Sequence, residues 1–225
     1  MRILIVAATD REVASLVANV TRPSPDPRIS AGTYGGHAVD VLVTGVGMVA
    51  TAAWCSQTLT RQRYDLALNV GLCGSFDPAL APGSVTHVVA DRMTELGAED
   101  GDRFLTIQDL KLLGDDDFPF TGGQLVNPSP PANAALLGLP SVRGISVNTV
   151  HGQERSIADV VARFSPQVES MEGAAFMYAC LLAGLPFAQV RAVSNIVERR
   201  NRGGWNIAGA LENLGRTAMK IVDQA

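Results

Sequence analysis

Four short stretches carry residues able to do chemistry. The first is Thr9-Asp10-Arg11-Glu12, directly after the apolar run Ile3 to Ala8. The Thr-x-x-Glu spacing is a capping box, which gives Glu12 a structural use at a helix start. A carboxylate at the end of a buried strand also faces the crevice where open α/β sheets bind ligands, and a base placed there can activate a water. The second is a pair of Gly-rich segments, Thr44-Gly45-Val46-Gly47 and Gly71-Leu72-Cys73-Gly74, read as tight turns after buried strands. Glycine lets backbone approach a ligand and present free N–H donors, although simple turns would look the same. The third is Glu169-Ser170-Met171-Glu172-Gly173-Ala174-Ala175. Acids at a helix start answer the helix dipole, but Glu172 stands directly before small and apolar residues, where a surface charge is less expected. The fourth is Arg191-Ala192-Val193-Ser194-Asn195 at the end of an apolar strand. An arginine among apolar neighbours needs a paired acid, whether for structure or for function. Asn195 has the alternative of a turn residue.

The elements that position these groups follow from the pattern. Ile3 to Ala8 is continuous and apolar, the signature of a strand covered on both faces. Helix follows from Thr9, with Val13, Leu16 and Val17 on its apolar face. Pro23, Pro25 and Pro27 mark a loop, and a hairpin from about Ile29 to Val43 turns at Gly35-Gly36. Helix is expected from Met48 to about Gln62, strand from Asp65 to Val70 and from Val85 to Ala90. The stretch from about Asp91 to Pro131 reads as surface loops with one short helix. Then come a strand at Gly144 to Val150, helices at Ser156 to Phe164 and Met171 to Ala183, a strand at Phe187 to Val193, and a last helix from about Trp205 to Val222. Alternating strands and helices predict an α/β fold, and the early hairpin makes its sheet mixed. No repeat, linker or low-complexity segment divides residues 1–225, so one domain is expected.

Composition narrows the function classes. The 225 residues are 47% apolar and 18% charged, as in a packed globular chain. A net charge of -4 gives no general attraction to nucleic acid or anionic lipid. Cys55, Cys73 and Cys180, like His37, His87 and His151, are scattered, which supports neither a disulfide framework nor a metal site. The longest apolar stretch, Phe176 to Val190, is broken by Gly184 and Pro186 and is too short to span a bilayer of ~30 Å. A cytoplasmic protein without metal or cofactor is the expectation.

In order and spacing these stretches resemble the purine nucleoside phosphorylase and methylthioadenosine/S-adenosylhomocysteine nucleosidase superfamily. The resemblance runs nearly end to end, through Glu12-Val13, Thr44 to Gly47, Asn69 to Gly74, Val168 to Ala175 and Val190 to Asn195. Within the superfamily, Ser194-Asn195-Ile196-Val197-Glu198-Arg199-Arg200 followed by Trp205 is most similar to the futalosine-hydrolysing branch. The resemblance implies a three-layer α/β/α sandwich with a mixed central sheet, like that of nucleoside phosphorylases. It also implies a homo-oligomer and a purine nucleoside as substrate, with futalosine cleaved to hypoxanthine. It makes Glu12 the activator of water, sets Met171 against the sugar and gives Glu172 the sugar hydroxyls. Arg191 pairs with the carboxylates, and Ser194 and Asn195 approach the base. Gly47, Leu72, Cys73, Gly74 and Gly152 are further substrate-binding positions. One arginine of Arg199, Arg200 and Arg202, with Arg199 counted among the substrate-binding positions, is expected to meet the substrate carboxylate, and Trp205 to stack on its ring or to anchor the last helix; a solvated basic run is the alternative. The segment from Val147 to Gly152 is expected to pass the base, and no role is assigned to His151 within it.

Three departures from superfamily patterns matter. Phosphorylases place a phosphate-binding arginine before the Gly-rich segment where this chain has Asn69-Val70, and they carry a glycine-rich phosphate loop that the early turn lacks; both favour hydrolysis. Leu72 replaces the serine usual in nucleosidases. Asn195 replaces the aspartate of adenine-specific nucleosidases. An amide can accept from N7–H and donate to O6 of a 6-oxopurine, whereas for adenine both groups want an acceptor, and a mismatch costs ~1–3 kcal/mol. An inosine-like nucleoside hydrolase or phosphorylase, a non-catalytic nucleoside-binding protein and a dinucleotide-dependent oxidoreductase are the competitors. Gly45, Gly47, Ala50 and Asp65 match the dinucleotide fingerprint only loosely.

Overall fold

A computed structural model describes residues 1–20 and 26–225. Pro23 and Pro25 of the expected loop lie outside them. Strand β1 (Arg2–Ala7) sends Ile3, Ile5 and Ala7 to one face of the sheet and Leu4 and Val6 to the other, all of them buried. Helix α1 (Asp10–Val17) packs Val13 and Leu16 on the first face, beside the last helix, α6 (Ile207–Asp223). Helix α2 (Met48–Arg61) and helix α5 (Gly173–Ala183) cover the second face, where Cys55, Phe176 and Met177 meet Leu4 and Val6. This is the expected three-layer sandwich.

The hairpin forms as read: β2 (Ile29–Tyr34) and β3 (His37–Val43) pair antiparallel across Gly35-Gly36. The remaining sheet strands are β4 (Leu66–Ser75), β5 (Val85–Met93), β8 (Leu125–Val126), β9 (Ser141–Ser146), β10 (Val168–Ser170) and β11 (Phe187–Ile196). Their order is β10-β9-β5-β11-β4-β1-β3-β2, with β8 on β5. The sheet is mixed, with β1, β4 and β11 parallel and β5 antiparallel to β11. Because β10 also pairs antiparallel with β4, one end of the sheet curls back on itself.

Several boundaries differ from the sequence reading. Gly71-Leu72-Cys73-Gly74 is not a turn: β4 runs through it to Ser75, since β11 stays alongside and supplies the ladder to Gly74. The stretch after Asp91 holds no helix before Pro131. It forms a second hairpin, β6 (Gly97–Asp100) with β7 (Arg103–Thr106), and the short helix α3 (Ala134–Leu137) follows it. Strand β9 ends at Ser146, earlier than expected, and Val147 to Gln153 lead into α4 (Glu154–Phe164). Strand β10 was not foreseen, because three residues give too little period to read. It delays α5 to Gly173 and leaves Glu172 as its N-cap. Trp205 precedes α6, after a 3₁₀ turn at Arg202–Gly204. Among the described residues no helix is long and apolar enough to cross a membrane.

Candidate active site

The carboxyl ends of β1, β3, β4 and β11 meet the segments that follow β9 and β10, and between them lies a cavity of about 250 Å³. A larger groove, about 850 Å³, runs past Leu59, Tyr64, Leu182 and Pro186 but holds none of the expected acid–base groups.

Glu12 is buried at the head of α1, where it completes the capping box and also lines the cavity. Oε2 accepts from the Thr9 amide (2.8 Å) and the Thr9 hydroxyl (2.9 Å). Oε1 reaches across to accept from the Leu72 amide of β4 (3.1 Å). Helix start and site carboxylate are therefore one structure. Glu172, also buried, accepts from the Gly47 amide at 3.0 Å, and its Oε2 lies 3.5 Å from Nη1 of Arg191. Gly47 has φ +98°, a left-handed conformation that aims this amide into the site and that side chains resist.

Arg191 is 1% exposed and is met on three sides. Nε donates to Gln189 Oε1 (3.1 Å), Nη2 to Asn69 Oδ1, and Nη1 faces Glu172. Asn69 is held in turn by donating to the Val6 carbonyl (2.9 Å). The guanidinium fills the space over Gly71, where a Cβ would overlap Nη1 and press on Glu12 Oε1. The glycine of β4 thus serves close approach of two charged side chains, not a turn.

A bulge in β11 between Val193 and Asn195 places Ser194 and Asn195 at the cavity. Asn195 Nδ2 donates to the Ile196 carbonyl (2.9 Å). The Ser194 hydroxyl lies 2.7 Å from Asn195 Oδ1 and 3.1 Å from the Cys73 carbonyl. The carbonyl of Ile196 can only accept, so it fixes which end of the amide is nitrogen. One N–H and one lone pair of Asn195 remain for a ligand. Burial pushes the Cys73 thiol up to about 12, which removes it as a nucleophile and leaves a small neutral wall.

Of the expected residues, Glu12, Leu72, Cys73, Gly74, Met171, Glu172, Ser194, Asn195 and Trp205 line the cavity together. Arg191 and Gly47 stand behind Glu172 and hold it. Two expectations are corrected. Arg200, not Arg199, is the arginine at the cavity, with its guanidinium 5.2 Å from the centre of the Trp205 ring. Arg199 does not line the cavity. Gly152 is not part of the wall; its neighbour His151 is.

His151 and Glu169 were missed. Glu169 is buried, accepts from the His151 amide (3.1 Å) and lies 2.6 Å from His151 Nδ1, with Phe76 edge-on to the imidazole. The Asn195 amide and the Glu169 side chain both approach Gly74 from the cavity side. The available signal was that two acids stood in one apolar context and only one had a use. Asn69, Asp91 and Gln189 were also missed, although each is a polar residue in or beside an apolar strand run and so needed a buried partner. Among the described residues no group of three His, Cys, Asp or Glu is placed to hold a metal ion.

Residues 2–224 match the phosphorylase superfamily, and the chain belongs to it. Its particular likeness is to futalosine hydrolases. That of Acidothermus cellulolyticus is 33% identical over 94% of this chain and 86% of its own length. That of Streptomyces coelicolor is 32% identical over 88% of this chain and 86% of its own. Among solved structures, the methylthioadenosine/S-adenosylhomocysteine nucleosidase of Colwellia psychrerythraea in complex with adenine superposes with a TM-score of 0.82. It covers 100% of this chain and 95% of its own at 22% identity, a likeness of fold.

Proposed function

We propose that this protein hydrolyses the N-glycosidic bond of futalosine, releasing hypoxanthine and dehypoxanthine futalosine, in the futalosine route to menaquinone. The observation that carries hydrolysis is how the donors of the site are spent. The Gly47 amide is given to Glu172 and the Leu72 amide to Glu12. Arg191 is committed to Glu172, Gln189 and Asn69. An incoming phosphate would find those donors taken and two carboxylates facing it, whereas a neutral water meets no such repulsion.

Glu12 takes a proton from the attacking water as its oxygen bonds to C1′, and the C1′–N9 bond breaks. Glu172 accepts from the ribose hydroxyls, a contact that strengthens as the sugar becomes cationic and so lowers the barrier. Asn195 accepts from N7–H and donates to O6. It has no acid proton to give, so N7 is protonated from solvent and Glu12 returns its proton there. The benzoate of the substrate lies toward Arg200, which offers a charge-assisted pair, with Trp205 beside its ring. One domain carries the whole site. A cytoplasmic homo-oligomer is part of the reading; the exposure of Val46, which lines the cavity, and of Val49 at the start of α2 supports a second copy packing there.

The test is base release from futalosine in phosphate-free buffer, followed by chromatography. Hypoxanthine released without phosphate, with methylthioadenosine left intact, is the expected result. Release only after phosphate is added would make the protein a phosphorylase, and no release under either condition would remove futalosine as substrate.

A further inference from the structure

Behind Arg191, buried polar groups run to a carboxyl that no step above uses. Asp91 in β5 is 1% exposed. Its Oδ2 accepts from Gln189 Nε2 (3.0 Å), and Gln189 Oε1 accepts from Arg191 Nε (3.1 Å), which brings the chain to Glu172. A second route leaves the same carboxyl. Oδ1 accepts from the Ser146 hydroxyl (3.1 Å), and Ser146 Oγ accepts from the Ala174 amide (2.7 Å) in the first turn of α5. Between Glu172 and Ala174, Gly173 lies so close to Asp91 Oδ2 and Gln189 Oε1 that a Cβ would overlap both. The first route ends on the Glu172 side chain, and the second on the first turn of α5, which Glu172 caps.

Donor chemistry fixes the direction of every link. Arg191 has only donors, so Gln189 must show it oxygen, and the amide nitrogen then faces Asp91. The Ala174 amide occupies Ser146 as an acceptor, so the hydroxyl proton also points at Asp91. Position 91 must therefore accept on both oxygens, and a carboxylate does this where an amide accepts on one side only. Burial pushes the Asp91 carboxyl up to about 6, opposed by the Gln189 hydrogen bond and the Arg191 charge. A charge held at such a cost calls for a purpose beyond packing.

We propose that Asp91 is a positioning residue for the sugar-binding carboxylate: by orienting Gln189 and the first turn of α5 it sets Arg191, and through both it sets Glu172. This rests on the reading of Glu172 as the group that grips the ribose.

The test is a swap of polarity. In Gln189→Glu, two carboxylates face each other where one hydrogen bond stood. In Asp91→Asn, one of the two donors loses its acceptor. The double variant Asp91→Asn/Gln189→Glu restores the links joining Ser146, position 91, position 189 and Arg191, because the new amide donates to the new carboxylate, which still accepts from Arg191; only the weak contact from Gln189 Nε2 to Met177 Sδ (3.3 Å) is not rebuilt, and total charge is unchanged. On futalosine at 25 °C, kcat should fall about a hundredfold in Gln189→Glu and about tenfold in Asp91→Asn, and return to within about threefold of wild type in the double variant. Thermal midpoints are measured alongside. Single variants with wild-type kcat and only a lowered midpoint would overturn the proposal, and so would a double variant that regains its midpoint without its kcat. If the wild-type protein does not cleave futalosine, the substrate assignment has failed instead. The same cycle is then read in inosine affinity by calorimetry, where equal affinity across all four proteins would overturn the positioning role.

Discussion

Asparagine at position 195 should be what separates a hypoxanthine-releasing site from an adenine-releasing one, and Asn195→Asp reverses it. In the native site Nδ2 spends one N–H on the Ile196 carbonyl at 2.9 Å and has one left for O6, while Oδ1 keeps a lone pair for N7–H beside the Ser194 hydroxyl. Aspartate puts oxygen where Nδ2 was, facing two acceptors, Ile196 and O6. The lost bond and the unmatched pair cost the 6-oxopurine about 1–3 kcal/mol, or roughly 10–100-fold in kcat/KM. A 6-aminopurine gains by a similar amount, since its amino group and N7–H then both meet acceptors. The ratio of futalosine to methylthioadenosine turnover should therefore change by about 10²–10⁴. The assay measures kcat/KM for both nucleosides by chromatographic release of hypoxanthine or adenine without phosphate. The clash with Ile196 should lower stability by only ~1 kcal/mol, so a folded variant can be assayed. A folded Asn195→Asp protein whose ratio stays within about threefold of wild type would refute the reasoning, because Asn195 would then not read the base.

Three other perturbations address other parts of the site. Gly71→Ala should push Arg191 out of its seat over β4 and leave Glu172 unpaired in a buried place, costing about 3–5 kcal/mol of stability in denaturant unfolding, with kcat below measurement. Arg200→Met should raise KM for futalosine about tenfold and leave inosine unaffected, since only futalosine carries the benzoate; equal effects on both would disprove the pairing. Asp91 makes stability depend on pH. Its carboxyl moves from an ordinary 3.8 to about 6 on folding because burial disfavours the charge, so it contributes most below pH 4 and that contribution is lost as pH rises through 6. The advantage of wild type over Asp91→Asn in unfolding free energy should shrink by about 2 kcal/mol between pH 4 and pH 8. A constant difference would mean that the shift is absent.

The sequence made the layers and most of the site legible because both rest on short-range patterns. Apolar runs gave β1, β4 and β11, the capping box gave α1, strand ends gave Glu12 and Asn195, and a charge set before an apolar helix gave Glu172. What stayed hidden depends on chain partners far apart in sequence. Gly71 looked like a turn glycine, since its neighbour Arg191 lies 120 positions later and only packing brings them together. The Glu169–His151 pair is made by packing between β10 and the segment after β9, and only the second acid beside Glu172 hinted at it. The sequence left Arg199, Arg200 and Arg202 undivided because nothing in adjacent arginines says which side of the chain faces the cavity, and packing puts Arg200 there. The polar residues Asn69, Asp91 and Gln189 were visible and unused: inside apolar strands they announced a buried network, and a buried arginine was already waiting for one.

Glu12 presents the sharpest case of two uses in one side chain, and the two can be separated. Its Oε2 caps α1 through Thr9 and its Oε1 meets the Leu72 amide, so deleting the side chain would damage helix and chemistry together. Glu12→Gln divides them. Glutamine also completes a capping box, because its carbonyl oxygen can take the Thr9 amide as the carboxylate does. One of the two contacts, with the Thr9 amide or with the Leu72 amide, must then face the new NH₂, at a cost of about 1 kcal/mol. The fold should survive that loss. Proton abstraction from water should not, because a neutral amide has no basic lone pair to offer, and general base catalysis contributes about 10²–10⁴-fold. The expected protein unfolds within a few degrees of wild type, still binds hypoxanthine, and cleaves futalosine at least a hundredfold more slowly. Retention of more than a tenth of wild-type kcat by Glu12→Gln would mean that Glu12 is a cap and that the water is activated elsewhere, with Glu169 and His151 the next groups to examine.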